Sequence, residues 1–129
     1  MRCSTATPTR SKETEALYQS GIACRMLKKH VEEEAAFREW AATKEPGSTG
    51  EMWALFQVAW SLHYQKRSND ALDVMERVAR SQSTHEGTRP YALYHTANFA
   101  FTAGDHARAR PYLVRLLEEL GKSEVPDHA

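Results

Sequence analysis

The chain has 129 residues, enough for one domain that buries roughly two-thirds of its unfolded surface. Lys and Arg together number 17, as do Asp and Glu, so no net charge attracts nucleic acid or anionic lipid. The longest apolar run, residues 52–56, is too short for membrane insertion, and Cys3 and Cys24 do not provide a disulfide framework. These features predict a cytoplasmic domain that binds neither nucleic acid nor membrane.

Two helices are predicted before the Glu-Pro-Gly sequence at residues 45–47. Residues 1–12 are expected to form a disordered tail, with Ser11 as the N-cap of a helix from residue 13 to about residue 29. The second helix is predicted over residues 32–43, and its first three residues, all glutamates, should be solvated.

The segment 51–65 predicts a central helix with two adjacent apolar stripes. The first stripe contains Met52, Leu55, Ala59 and Leu62, and the second contains Trp53, Phe56, Trp60 and Tyr64. A helix that is apolar nearly all round must be covered on several sides or bind a partner. Ser48 and Glu51 match the Ser-x-x-Glu capping box that begins such a helix.

Three further helices are predicted after the central one. Asn69 is the expected N-cap of a helix over residues 70–81, and Thr88 is that of a fifth helix ending at Gly104. Asp105 is expected to cap a sixth helix that contains Pro111 and reaches residue 120, followed by a loose tail over residues 121–129. No segment shows the alternation of a strand, so the predicted fold class is all-α.

Small residues recur in pairs at one constant spacing. The pairs are Cys24 with Ala36, Ala59 with Ala71, and Ala97 with Ala109. The pattern resembles the tetratricopeptide repeat, a helix–turn–helix of about 34 residues whose helices touch at small side chains. The resemblance covers residues 13–120, most closely at 54–78 and 91–113, with slightly longer units than that repeat. It implies three antiparallel helix hairpins, about 13–47, 48–83 and 88–120, stacked as a short superhelix; a generic helical bundle with accidental small residues is the alternative.

The resemblance also implies that the first helix of each hairpin lines a concave groove. The partner-binding residues would then be Arg25, Lys28, Trp53, Phe56, Trp60, Tyr64, Tyr91, Tyr94 and Asn98. Such a groove suits a protein or peptide segment with apolar side chains and an acid. Aromatic residues at helical spacing are also typical of a core, so Trp53 and Phe56 fit either role, whereas Trp60, Tyr64 and Tyr94 are expected to be partly exposed. The basic residues fit a solvated surface equally.

Two other classes of function remain open. The last helix carries Tyr112, Leu113, Leu116, Leu117 and Leu120 without an obvious cover, which favours a homodimer through that helix or a structural subunit of a larger complex. The six histidines lack zinc-site spacing, and neither a phosphate-binding loop nor a nucleophile motif occurs. The sequence therefore predicts a non-enzymatic interaction scaffold with no catalytic residues, metal or cofactor.

Overall fold

The computed structural model describes the backbone of residues 6–124 and the side chains of residues 12–121. Within that range the chain forms six α-helices and no strand, which confirms the all-α class. The helices are α1 (Ala6–Met26), α2 (His30–Ala42), α3 (Thr49–Tyr64), α4 (Ser68–Arg80), α5 (Arg89–Thr102) and α6 (His106–Glu124). Each helix packs mainly against its neighbours in sequence, because the connections are short.

Both end helices are longer than predicted. Helix α1 begins at Ala6, so Ser11 lies inside the helix and is not its N-cap. Pro8 is the third helical residue, where its missing N–H costs no intrahelical hydrogen bond. Helix α6 continues through Gly121, since glycine costs a helix only about 1 kcal/mol. Residues 1–5, including Cys3, and residues 125–129 lie outside the described residues.

The predicted caps are confirmed where a polar side chain meets a free N–H. The Ser48 hydroxyl accepts a hydrogen bond from the Glu51 N–H at 3.1 Å, and the Asp105 carboxylate accepts one from an N–H three residues later, also at 3.1 Å. Thr88 precedes α5 but makes no side-chain cap bond. The prediction for Asn69 is wrong, because α4 begins at Ser68, two residues before the predicted start, after a left-handed turn.

The three turns that join α1 to α2, α3 to α4 and α5 to α6 have the same backbone geometry. Lys28, Lys66 and Gly104 have φ angles of 62°, 65° and 81°. In each turn the next residue donates its N–H to the carbonyl five residues earlier, namely Lys29 to Cys24, Arg67 to Leu62, and Asp105 to Ala100, at 2.8, 3.0 and 2.8 Å. These are Schellman turns. Only Gly104 was predictable, because a lysine in the left-handed region carries a cost of about 1–2 kcal/mol and no sequence signal.

The three left-handed residues are equally spaced along the chain, which shows which positions of the three hairpins correspond. Gly21, Ala59 and Ala97 are equivalent, and so are Glu33, Ala71 and Ala109. The predicted register, which aligned Cys24 and Ala36 with the later small residues, is therefore wrong by three residues in the first hairpin. The spacing between the two members of each pair is unchanged.

The close approach of α1 and α2 at Gly21 supports this register. A Cβ atom on Gly21 would lie 2.5 Å from the ring of Phe37, which is fully buried. The second residue of the small pair differs in the first hairpin. Buried Glu33 occupies the position where the other two hairpins have alanine.

The core lies between α2, α3, α4 and α5. The first stripe of α3, from Met52 to Leu62, is buried as predicted. Its largest fully buried neighbours are Phe37, Leu72, Met75, Leu93 and Phe99. With this stripe covered, the second stripe of α3 is left to face α5 and the solvent.

Candidate functional site

The second stripe of α3 forms part of the molecular surface. Trp53 and Tyr64 are exposed, and Phe56 and Trp60 are half-buried. The rings of Trp53 and Phe56 stack with centroids 5.6 Å apart and planes 14° apart. Both residues, which fitted either a core or a groove, thus contribute to a surface. The expected partial exposure of Trp60 and Tyr64 is confirmed.

Helix α5 places more rings beside this stripe. Tyr91 is 64% exposed and Tyr94 is 50% exposed, while His95 between the two helices is half-buried. Asn98 and Phe101 are exposed farther along the same helix. We call the rings of Trp53, Phe56, Trp60, Tyr64, Tyr91, Tyr94 and His95 the aromatic face.

A cleft of about 350 Å³ opens in the aromatic face between α3 and α5. Its walls are Trp53, Phe56 and Trp60 on one side and Tyr91 and His95 on the other, and residues 87–88 close one end. Concave sites walled by aromatic rings with a few polar groups are typical of binding sites. The structure therefore brings together four of the nine predicted partner-binding residues in one cleft.

The floor of the aromatic face is a cluster of interlocking rings. Trp60 meets His95 and Phe99 edge-on, with centroid distances of 4.7 and 5.2 Å. His63 stacks on Phe99 at 4.6 Å with planes 8° apart. These contacts pack Trp60 against α5 and join the two helices beside the cleft.

Both histidines of this cluster favour the neutral form. Burial, together with the nearby Lys66, lowers the pKa of His63, and burial together with His63 lowers the pKa of His95. Both imidazoles are consequently uncharged at neutral pH. The His95 Nδ1 atom is buried and has no hydrogen-bond partner. His95 is absent from the predicted site, and its spacing of four residues from Tyr91 was the only signal for it.

The two predicted basic residues differ in their surroundings. Lys28 is exposed in its left-handed turn. Arg25 is half-buried; its Nε donates to Glu33 at 2.7 Å and its terminal nitrogens donate to the side chain and carbonyl of Gln57. The guanidinium also lies over the ring of Tyr64, 5.5 Å from its centroid. Arg25 thus supports the aromatic face from below, with its charge already balanced.

Glu33 is the centre of a buried polar network that the sequence did not indicate. One carboxylate oxygen accepts from Arg25 Nε and from the Ser61 hydroxyl at 2.8 Å, and the other lies 2.7 Å from His30 Nδ1. The expectation that this glutamate is solvated is wrong, because α3 covers it. Its neighbours in sequence, Glu32 and Glu34, are exposed and half-buried.

A second polar cluster joins α4 to α6 on the other side of the protein. Glu76 accepts hydrogen bonds from Arg108 and from the Tyr112 hydroxyl. Burial and the Glu76 carboxylate raise the pKa of Tyr112 to about 12. Burial alone would raise the pKa of Glu76, but the two donors outweigh it and lower that pKa. The expectation that Tyr112 lies on an uncovered face is therefore wrong, although Val114 and Leu117 are exposed.

Other chemistry has little support in the described part of the chain. No three His, Cys, Asp or Glu side chains among residues 12–121 converge as metal ligands would. Cys24 is a half-buried free thiol. None of the described helices combines the length and the apolar character needed to cross a membrane. No protein-family model, curated protein or solved structure matches this chain.

Proposed function

We propose that this protein is a non-enzymatic, tetratricopeptide-like scaffold that binds a protein or peptide segment on its aromatic face. The observation that carries the proposal is the cleft of about 350 Å³ between α3 and α5, walled by Trp53, Trp60 and Tyr91. Tryptophan and tyrosine are the residues that most often anchor protein interfaces. Contiguous exposed apolar surface commonly marks an interaction site.

The repeat architecture supports the proposal. Three equally spaced Schellman turns, each followed by a helix that packs back on the previous one, favour stacked hairpins over a bundle with accidental small residues. A stacked array presents its first helices side by side. That arrangement explains why rings on α3 and α5 form one surface although the whole of α4 separates Tyr64 from Tyr91 along the chain.

The charges around the aromatic face indicate what the partner carries. Helix α5 contains no acidic residue, and the one acid of α3, Glu51, is bonded to the Gly47 N–H on another side. Lys28 and Lys66 are exposed at the ends of α1 and α3. We infer a partner segment with apolar side chains for the cleft and a carboxylate toward the lysines. Since Arg25 is paired internally, Lys28 and Lys66 take over the acid-binding role expected of it.

Selection from a displayed random-peptide library tests this function. Peptides selected on the wild-type protein should be rich in aromatic or aliphatic residues and should contain an acid. Tyr94→Glu should weaken their binding at least about tenfold, because it places a charge beside the cleft without disturbing the core. Ala35→Glu is the matched control, since it adds the same charge to an exposed apolar position on α2.

Far-ultraviolet circular dichroism must show equal helicity for all three proteins. The proposal fails if no peptide is selected above background, or if Tyr94→Glu binds the selected peptides as tightly as Ala35→Glu and the wild type do.

Self-association through the last helix, or assembly into a larger complex, is the second candidate. The exposure of Val114 and Leu117 favours it, because apolar side chains on the outer face of an end helix are usually covered. Analytical ultracentrifugation tests it: a monomer at every concentration would exclude self-association.

A further inference from the structure

Helix α6 leaves uncovered a position that the two equivalent helices bury. In the register set by the three Schellman turns, Leu117 corresponds to Ala41 and Ala79. Those alanines are 7% and 0% exposed, whereas the larger Leu117 is 69% exposed. Helices α2 and α4 each pack against the helix that follows, α3 and α5 respectively, and no described helix follows α6.

The faces of α3 and α5 that provide this cover can be identified from hydrogen bonds. The Ser61 hydroxyl of α3 donates to Glu33 of α2 at 2.8 Å, and the Thr96 hydroxyl of α5 lies 3.2 Å from the Met75 carbonyl of α4. Ala54 and Ala92 lie on the same helix faces, seven and four residues earlier, and both are fully buried. The covering face of each helix therefore includes two small side chains, Ala54 and Ser61 on α3 and Ala92 and Thr96 on α5.

Helix α1 presents the same face to solvent. Ala16 corresponds to Ala54 and Ala92, Ser20 to Thr96, and Ala23 to Ser61. All three residues of α1 are small and exposed, at spacings of four and three that place them on one side of the helix. Ala16 and Ser20 also line a cleft of about 550 Å³ between α1 and α2, together with Glu13, Leu17, Glu39 and Thr43. No described helix precedes α1 to fill it.

We propose that α6 of one copy packs on the outer face of α1 of a second copy, repeating the contacts of α2 with α3 and of α4 with α5. The contact between Met75 and Thr96 then becomes one between Leu113 and Ser20 of the second copy. One turn farther along the antiparallel helices, Leu117 meets Ala16 of the second copy. The occupant of the α6 face is thus another molecule of the same protein, joined head to tail. This inference is independent of the aromatic face.

The proposed contact joins two different surfaces. A pair of molecules therefore keeps a free α1 face at one end and a free α6 face at the other. Heterologous contacts of this kind produce open chains of molecules unless a ring closes. Association therefore continues past the dimer as the concentration rises. A symmetric dimer of two α6 helices would stop at two molecules.

One charged pair makes the proposed contact testable in a way that a generic apolar contact is not. Glu34 of α2 forms an ion pair at 3.0 Å with Arg67, which lies in the turn after α3. The equivalent residues at the proposed contact are Arg110 of α6 and, in the second copy, Lys29 in the turn after α1. These like charges weaken association of the wild type, and Arg110→Glu restores the opposite signs. The structure thus predicts a substitution that strengthens self-association.

Sedimentation velocity of the full 129-residue chain over a wide concentration range tests the proposal. Wild type should form species larger than a dimer, and Arg110→Glu should form them at concentrations at least about tenfold lower. Leu117→Glu and Ala16→Glu should each be monomeric, because each blocks one of the two faces. Ala35→Glu, at an exposed alanine of α2, is the matched control and should behave as wild type.

Mixing the two blocked variants gives the decisive result. Ala16→Glu retains a competent α6 face and Leu117→Glu retains a competent α1 face, so the mixture should form a dimer that cannot grow. Circular dichroism checks that every variant is folded. The proposal is overturned if wild type is monomeric throughout, if Ala16→Glu associates as wild type does, which indicates a symmetric α6 dimer, or if the mixture stays monomeric.

Discussion

Replacement of Glu33 by alanine would remove the acceptor at the centre of the buried network between α1, α2 and α3. The carboxylate accepts from Arg25 at 2.7 Å and from Ser61 at 2.8 Å. Ser61 keeps a second hydrogen bond to the Gln57 carbonyl at 3.1 Å, so the unpaired Arg25 cation carries most of the cost. Breaking a buried ion pair costs about 3–5 kcal/mol.

Two features reduce that cost. The Arg25 side chain is 24% exposed, so water solvates part of the released charge. Alanine also favours the helix by a few tenths of a kcal/mol, roughly 0.5, relative to glutamate. We therefore expect Glu33→Ala to lower the free energy of unfolding by about 2–4 kcal/mol.

Urea unfolding followed by circular dichroism measures this loss, with Glu32→Ala at the exposed neighbouring position as the control, expected within about 0.5 kcal/mol of wild type. The double variant with Arg25→Ala should lose less than the sum of the single losses, by about 1–3 kcal/mol, because no orphaned cation remains. The equivalent residues of the other hairpins are Ala71 and Ala109, both buried, so the alternative outcome is that alanine at position 33 leaves stability unchanged. A loss below about 1 kcal/mol, or strict additivity, would refute the role assigned to the network.

Three further substitutions test the packing, the turns and the ring cluster. Gly21→Ala should lower the free energy of unfolding, because overpacking against Phe37 costs about 1–3 kcal/mol and exceeds the gain in helix propensity of about 1 kcal/mol. Gly121→Ala has open space around it and should raise the free energy of unfolding. Equal effects of the two substitutions in urea unfolding would contradict the packing argument. Lys66→Gly should raise the free energy of unfolding by about 1 kcal/mol, because glycine adopts a φ of 65° without the strain that lysine carries there. A lower unfolding temperature would show that the lysine side chain contributes more to stability than the backbone strain costs. The folded-state pKa of His95 is lowered, so its contribution to stability is complete above the unfolded pKa of about 6.5 and is lost as the pH falls below that value. His95→Phe should therefore flatten the fall in the urea midpoint between about pH 8 and pH 5. An unchanged slope would exclude His95 as the source of that fall.

The six helices were predictable from the sequence because their signals are local. Ser48, Gly104 and Asp105 act on N–H and carbonyl groups within a few residues of themselves, so their roles can be assigned without knowledge of the fold. The two stripes of α3 were equally readable, because helical periodicity alone places Trp53 and Trp60 on one side and Leu62 on another. The sequence by itself therefore determined where the helices form and which rings can reach the surface together.

The tertiary structure decided which side chains are paired and how the hairpins align. Glu33 and Tyr112 are buried because helices distant in sequence cover them, and Arg25 is neutralised by a residue on the next helix. The register of the hairpins was read from the left-handed residues Lys28, Lys66 and Gly104, and the two lysines have no sequence signature. Local hydrogen bonds are set by neighbours along the chain, whereas burial and ion pairing are set by whatever the folded chain brings alongside.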